Sequence, residues 1–124
     1  MLTCKGVKSS LRFEVTPLAS DVLKNVSVSY ACRHEIRDQG QTLTGVPTVG
    51  VLKNGVISTD LTVTNVQLDA TKTKVLFTLS NSTAVPPSTY LLVVSAQFTG
   101  GTGKIAGLTC EVLMPSGALL TGCA

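Results

Sequence analysis

The sequence predicts an all-β protein, either an antiparallel β-sandwich or a small β-barrel. Valine, threonine and serine are frequent, and the sequence has no tryptophan. Several segments alternate apolar and polar residues with a period of two, and turn residues separate them at near-regular spacing. Only residues 18–25 (LASDVLKN) favour a helix, of about two turns with Ser20 as its cap.

The strand predictions rest on alternation. In residues 25–35 (NVSVSYACRHE), Tyr30 and Cys32 share one face, and in residues 90–98 (YLLVVSAQF) Tyr90 begins another alternating run, so both tyrosines are expected to be buried. Asn54-Gly55 tolerates the positive φ angles of a type I′ turn and predicts a hairpin. Further strands are predicted at 11–17 (LRFEVTP), at 48–63 on both sides of Asn54-Gly55, at 66–69 (VQLD), at 74–80 (KVLFTLS) and at 104–114 (KIAGLTCEVLM).

The glycine-rich segment TGGTGK (99–104) raises the question of a phosphate-binding loop. Such a loop needs a glycine, four residues and then Gly-Lys-Ser/Thr before a helix. Here Phe98 stands where the first glycine belongs, and Ile105 follows Gly103-Lys104 in place of a hydroxyl residue. The segment is therefore predicted to be the turn of a hairpin between the strands at 90–98 and 104–114.

Composition indicates one domain that hides apolar surface against partners. The 124 residues predict a single sandwich domain over 1–124, with candidate extended arms at 1–8 and 116–124. Only 14% of residues are charged and the mean hydropathy is +0.37, which favours partner subunits covering apolar surface. The net charge of +3 is scattered rather than gathered into a basic stripe, so no nucleic-acid partner is expected.

No membrane partner and no export signal are expected either. The N-terminal residues MLTCKGVKSSLRF contain no apolar core of a signal peptide. The longest apolar run, YLLVVSA, is far shorter than the roughly 20 residues of a membrane-spanning helix.

The four cysteines leave several alternatives open. No CxxC pair occurs, so a structural zinc site is not predicted. Cys32 and Cys110 lie in the middle of alternating strands and form a candidate disulfide between two packed sheets, while two buried thiols are the alternative. Cys4 and Cys123 lie near the termini and are candidates for cross-links between neighbouring subunits.

No catalytic, cofactor-binding or metal-binding residue is predicted, and the protein is not expected to be an enzyme. His34 lies two residues after Cys32 and therefore on the same strand face, which raises the possibility of a Cys–His nucleophile pair. No orienting Asn or Asp accompanies that pair, and the neighbouring residues are charged, so a surface histidine is expected. The carboxylates follow no acid–base or calcium-binding pattern.

Residues 45–114 resemble the small Ig-like proteins of tailed bacteriophages that serve as fiber–tail adaptors. The resemblance lies in the order of five pieces rather than in a catalytic motif. An alternating Thr/Val strand comes first, a second strand ends in a Pro-containing turn, a Tyr begins the penultimate strand, and a glycine loop leads into the last strand. These pieces are DLTVTNVQLD, KVLFTLSNSTAVPPSTY, YLLVVSAQF, TGGTG and IAGLTCEVLM.

The resemblance implies an Ig-like sandwich and a non-enzymatic virion protein, assembled in the host cytoplasm, that needs no cofactor. Its implied role is an oligomeric neck or tail adaptor that joins fibers or rings. Its partners would be copies of itself in a ring or coat, and portal, neck, tail or fiber proteins. One alternative is a capsid cement or decoration protein, and another is a secreted adhesion or carbohydrate-binding module.

Overall fold

The computed structural model describes residues 3–15, 26–36, 42–81, 86–99 and 105–116. Within these ranges every regular element is a strand, and the strands form two antiparallel sheets of a β-sandwich, which confirms the predicted fold class. The strands are β1 (Thr3–Gly6), β2 (Ser10–Val15), β3 (Val26–Ile36), β4 (Leu43–Lys53), β5 (Val56–Ile57), β6 (Thr62–Leu68), β7 (Lys74–Asn81), β8 (Ser88–Phe98) and β9 (Ile105–Ser116).

The central strands follow the order of an immunoglobulin-type sandwich, whereas the first and last strands are exchanged. The five-stranded sheet has the order β1-β9-β3-β7-β6 and the four-stranded sheet has the order β2-β8-β4-β5. With β3 as strand B, β3-β7-β6 corresponds to B-E-D, and β8-β4 corresponds to F-C. The place of the last strand beside F is taken by β2, and β9 instead lies beside β3.

Alternation along the strands builds the core. In β2, Leu11, Phe13 and Val15 are buried while the residues between them face outward, as the sequence predicts. Tyr30 and Tyr90 are also buried, as predicted. Each sheet carries one stacked aromatic pair on its inner face between neighbouring strands: Phe13–Tyr90, with ring centroids 5.6 Å apart, and Tyr30–Phe77, at 5.3 Å.

The predicted Asn54-Gly55 hairpin is present, and β6 and β7 form a second one. Asn54 and Gly55 have φ angles of 53° and 78°, as a type I′ turn between β4 and β5 requires. Between β6 and β7, one carboxylate oxygen of Asp69 accepts hydrogen bonds from the backbone N–H groups of Thr73 and Lys74, at 2.8 and 2.9 Å. This Asx-type turn holds the two strands in register.

The TGGTGK segment does not close a hairpin, and that prediction is wrong. β8 belongs to the four-stranded sheet, whereas β9 pairs with β1 and β3 in the five-stranded sheet, so the segment joins the two sheets. Local alternation predicts that both segments are strands, but it does not specify their partners. Residues 100–104 of the segment lie outside the described residues, and so does the helix predicted at 18–25.

The N-terminal segment is not a free arm over residues 3–6, because β1 pairs with β9 at the edge of the five-stranded sheet. The run after Asn54-Gly55 is not one strand either. β5 belongs to the four-stranded sheet and β6 to the five-stranded one. The candidate arm at 116–124 lies outside the described residues beyond Ser116.

Candidate functional site

Three cysteines form one row across the inner face of the five-stranded sheet. In the strand register Cys110 lies opposite Cys4 on one side and opposite Cys32 on the other. Cys32 and Cys110 form a disulfide, with their Cα atoms 4.0 Å apart. The candidate disulfide is therefore present rather than two buried thiols, but it joins neighbouring strands of one sheet and not two packed sheets, because β9 pairs directly with β3.

Cys4 does not present a thiol to a neighbouring subunit. Its side chain is 2% exposed in the core, and the residue is itself disulfide-bonded. The cross-link proposed for it between subunits is therefore contradicted by its burial and its bonding. Cys123 lies outside the described residues.

His34 is buried, and the expectation of a surface histidine is wrong. It is 3% exposed, and its Nε2 atom lies 2.9 Å from the carbonyl oxygen of Val94 in the opposite sheet. The edge of its ring packs on Phe98. Burial lowers the pKa of His34, against the opposing effect of the Val94 hydrogen bond. Since the sulfur of Cys32 is held in a disulfide, the pair provides no thiolate nucleophile in this state.

Tyr90 anchors the start of β8 in the manner of a tyrosine corner. Its hydroxyl group donates to the carbonyl oxygen of Pro86, four residues upstream, at 3.3 Å and to a carboxylate oxygen of Asp60 at 3.1 Å. The same carboxylate oxygen lies 3.6 Å from Nζ of Lys53. A tyrosine at the start of strand F that bonds back to the preceding backbone is a hallmark of immunoglobulin-type sandwiches.

The outer face of the four-stranded sheet carries a row of apolar side chains across three neighbouring strands. Leu91 of β8 lies directly opposite Leu52 of β4, which in turn lies opposite Ile57 of β5. Val93 follows Leu91 on the same face, and Ile57 is 74% exposed. We call Leu52, Ile57, Leu91 and Val93 the outer apolar face. Gly50, opposite Val93, has open space where a Cβ atom would lie, so the face has a hollow beside its protruding residues.

The outer face of the five-stranded sheet is different. It carries mostly hydroxyl and charged side chains, and two hydrogen bonds link some of them across strands. Ser29 and Thr78 are 3.2 Å apart through their hydroxyl oxygens, and the Thr109 hydroxyl donates to Glu35 at 3.2 Å. The sandwich therefore has one largely polar outer face and one outer face with an apolar patch, beside which Arg12 lies.

Two shallow depressions lie on the side of the sheet that carries Arg12 and Leu91. One, of about 350 Å³, reaches from Arg12 to the Asn54-Gly55 turn, and the other, of about 340 Å³, reaches from Arg12 to the corner at Gly6 and Val7. Both are open to solvent. Within the described ranges, no group of three or more His, Cys, Asp or Glu side chains is arranged to hold a metal ion.

The sequence contained a signal for the outer apolar face. Residues 91–94 (LLVV) are apolar at consecutive positions, so β8 must present apolar side chains on both faces. What the sequence could not provide was the register that aligns Leu91 with Leu52 and Ile57.

The described part of the chain consists of strands and contains no helix that could span a membrane.

Comparison with known proteins identifies no relative. No protein-family model, curated protein or solved structure shows a significant match to this chain.

Proposed function

We propose that the protein is a non-enzymatic structural subunit of a tailed-phage virion, an oligomeric neck or tail adaptor that joins fibers or rings. The observation that carries the proposal is the outer apolar face, where Leu91, Leu52 and Ile57 align across three strands. Covering an apolar patch with a protruding, 74% exposed isoleucine by a neighbouring protein is favourable, because it removes apolar surface from water.

The polarity of the two faces supports a stacked arrangement. A subunit with an apolar patch on one outer face and a hydroxyl-rich face on the other side packs the patch against a neighbour and leaves the hydroxyl-rich face in water. Repeated around a symmetry axis, such contacts build a ring or a coat. A capsid cement or decoration protein would use the same surface, and the particle component to which the protein binds distinguishes the two roles.

The disulfide bears on where the protein works. Disulfides persist in oxidising environments, which include virion surfaces as well as secreted proteins. In the proposed role, the released particle is the oxidising setting in which the Cys32–Cys110 bond persists. The same bond favours a second candidate, a secreted adhesion module. Sugar binding through exposed tyrosines is not available to that candidate, because Tyr30 and Tyr90 are both buried.

Antibody labelling tests the proposed function. Antibodies raised against the purified protein are applied to tailed-phage particles from a culture that expresses the gene, and gold-labelled particles are imaged by electron microscopy. We expect label at the neck or tail. Label over the shell would assign the decoration role instead. Unlabelled particles, together with protein that is secreted and binds cells, would overturn the virion role in favour of adhesion.

A further inference from the structure

One corner of the sandwich combines two cationic side chains with two apolar ones. Lys5 of β1 and Arg12 of β2 line the same depression of about 340 Å³, together with Val7 and Leu91. Both cations are exposed, and Val7 is 74% exposed. We call Lys5, Val7, Arg12 and Leu91 the cationic corner.

The positive charge of the cationic corner is not neutralised by an ion pair. Among the described residues, no carboxylate oxygen lies within ion-pair distance of Lys5 or Arg12. Glu14, the acidic residue on the same face of β2 as Arg12, is engaged in an interaction of its own. Lys8, in the turn between β1 and β2, adds a third exposed positive charge. The corner therefore attracts negatively charged groups of other molecules.

The turn between β1 and β2 holds the corner in one conformation. The carbonyl oxygen of Val7 accepts hydrogen bonds from the backbone N–H of Ser10 at 3.2 Å and from the Ser10 hydroxyl at 3.0 Å. Gly6 lies so close to the following strand that a Cβ atom there would collide with the carbonyl oxygen of Ser10 and the Cα atom of Leu11. A preformed site of this kind loses little conformational entropy when it binds a ligand.

We propose that the cationic corner binds an acidic segment of a different protein, in which an apolar side chain accompanies a carboxylate. The guanidinium group of Arg12 binds a carboxylate through two parallel N–H donors, and Lys5 adds a second positive charge beside it. The apolar side chain of the segment contacts Val7 and Leu91, and the contact removes apolar surface of both partners from water.

The shape of the surface favours a segment of chain over a single small anion. A free phosphate would use the two cations but would leave Val7 and Leu91 in water. A second depression, of about 350 Å³, shares Arg12 and Leu91 with the first and extends to the Asn54-Gly55 turn. A segment bound at the corner therefore continues along this second depression.

This inference rests on the proposed function, because an adaptor has to bind another protein as well as copies of itself. The corner lies beside β2, at one border of the four-stranded sheet, whereas Ile57 lies in β5 at the other border. A contact between copies at the Ile57 end thus leaves the corner for the other protein.

Two-dimensional amide NMR of the isotope-labelled protein tests the binding with three probe peptides of equal length. The first peptide alternates glutamate and leucine, the second glutamate and serine, and the third lysine and leucine. We expect the glutamate–leucine peptide to shift the amide signals of Lys5, Arg12 and Leu91. The glutamate–serine peptide is expected to bind about fivefold more weakly, because it buries less apolar surface. The lysine–leucine peptide is expected not to bind at the corner.

Substitutions separate the contribution of charge from that of apolar contact. R12E is expected to raise the dissociation constant of the glutamate–leucine peptide about tenfold or more, and R12K, which keeps the charge but loses the paired donors, by less. K72E is the matched control: it changes the net charge equally in the turn between β6 and β7, far from β1 in the same sheet, and should leave the affinity unchanged. L91A should weaken the glutamate–leucine peptide but not the glutamate–serine peptide. Thermal unfolding of each variant verifies that it folds.

Several results would overturn the inference. They are no binding of the glutamate–leucine peptide, equal binding of the glutamate–serine or lysine–leucine peptide, and an R12E variant that binds like the wild type. Displacement of the peptide by dextran sulfate at lower concentration would assign the corner to an anionic polysaccharide instead. Labelled particles without peptide binding would refute the corner alone, whereas peptide binding with unlabelled particles would refute only the virion role.

Discussion

Removing the Cys32–Cys110 disulfide is expected to cost a large part of the stability of this protein. The bond closes a sequence separation of 78 residues, and the loop-entropy relation gives about 4.5 kcal/mol at 25 °C for a loop of that length. Typical domains are stable by about 5–15 kcal/mol. The bond formed by Cys4 already restricts the unfolded chain, so the measured loss is expected at or somewhat below this value.

The assay compares C32A/C110A with the wild type in urea unfolding and in thermal unfolding, both monitored by far-UV circular dichroism. The midpoint of thermal unfolding is expected to fall by roughly 10–20 °C. The urea m-value is expected to rise, because the unfolded chain without the cross-link exposes more surface. V75A serves as the matched control. This substitution leaves a cavity in the core directly opposite Cys32 but keeps the cross-link. It should lower the free energy of unfolding without raising the m-value. A loss below about 1 kcal/mol with an unchanged m-value would refute the entropic argument.

Two further predictions concern buried polar groups. Y90F removes the hydroxyl bonded to Asp60 and Pro86 and is expected to lower the free energy of unfolding in urea by about 1–2 kcal/mol. Y30F removes a buried hydroxyl with no hydrogen-bond partner among the described residues and is expected to leave that free energy unchanged. Equal effects of the two substitutions would contradict the corner assignment. The pKa of His34 is lower in the folded than in the unfolded protein, so the neutral imidazole favours folding. The contribution of His34 to stability is fully present above the unfolded pKa of about 6.5. It is lost as the pH falls from there toward the folded pKa. H34Q should remove this part of the pH dependence, and an identical profile in wild type and H34Q would exclude His34 as its source.

Local pattern was sufficient for the strands and for several of their faces. The alternation around Phe13, the burial of Tyr30 and Tyr90 and the Asn54-Gly55 turn all follow from rules that involve only neighbouring residues. For His34, the charged neighbouring residues led to the wrong prediction of a surface position, whereas the period of two places it correctly on the inner face. Its neighbours Arg33 and Glu35 are charged but point outward, whereas His34 shares the inward face with Cys32.

The strand partners could not be predicted from local sequence patterns, because strand pairing depends on long-range contacts. Ser88–Phe98 and Ile105–Ser116 are adjacent in the chain, and adjacent strands usually form a hairpin. Here β9 crosses to the other sheet, and that crossing places Cys110 beside Cys32 within one sheet. It also leaves the position beside β8 to β2.

The outer apolar face was only half accessible to prediction. Consecutive apolar residues at 91–94 indicate a strand that is apolar on both faces, but the row that includes Leu52 and Ile57 requires the pairing of β8 with β4 and of β4 with β5. The expectation that partners cover apolar surface came from composition and stays a prediction.

Sedimentation velocity of I57K against wild type tests most directly whether the outer apolar face mediates assembly. Ile57 is 74% exposed, so the added charge costs the isolated subunit little, yet it places a lysine within the apolar row that a neighbour would cover. S27K adds the same charge to the polar face of the other sheet and is the control. We predict that wild type and S27K form concentration-dependent oligomers and that I57K does not. Assembly of I57K equal to that of the wild type, or a wild type that stays monomeric at every concentration, would contradict the account.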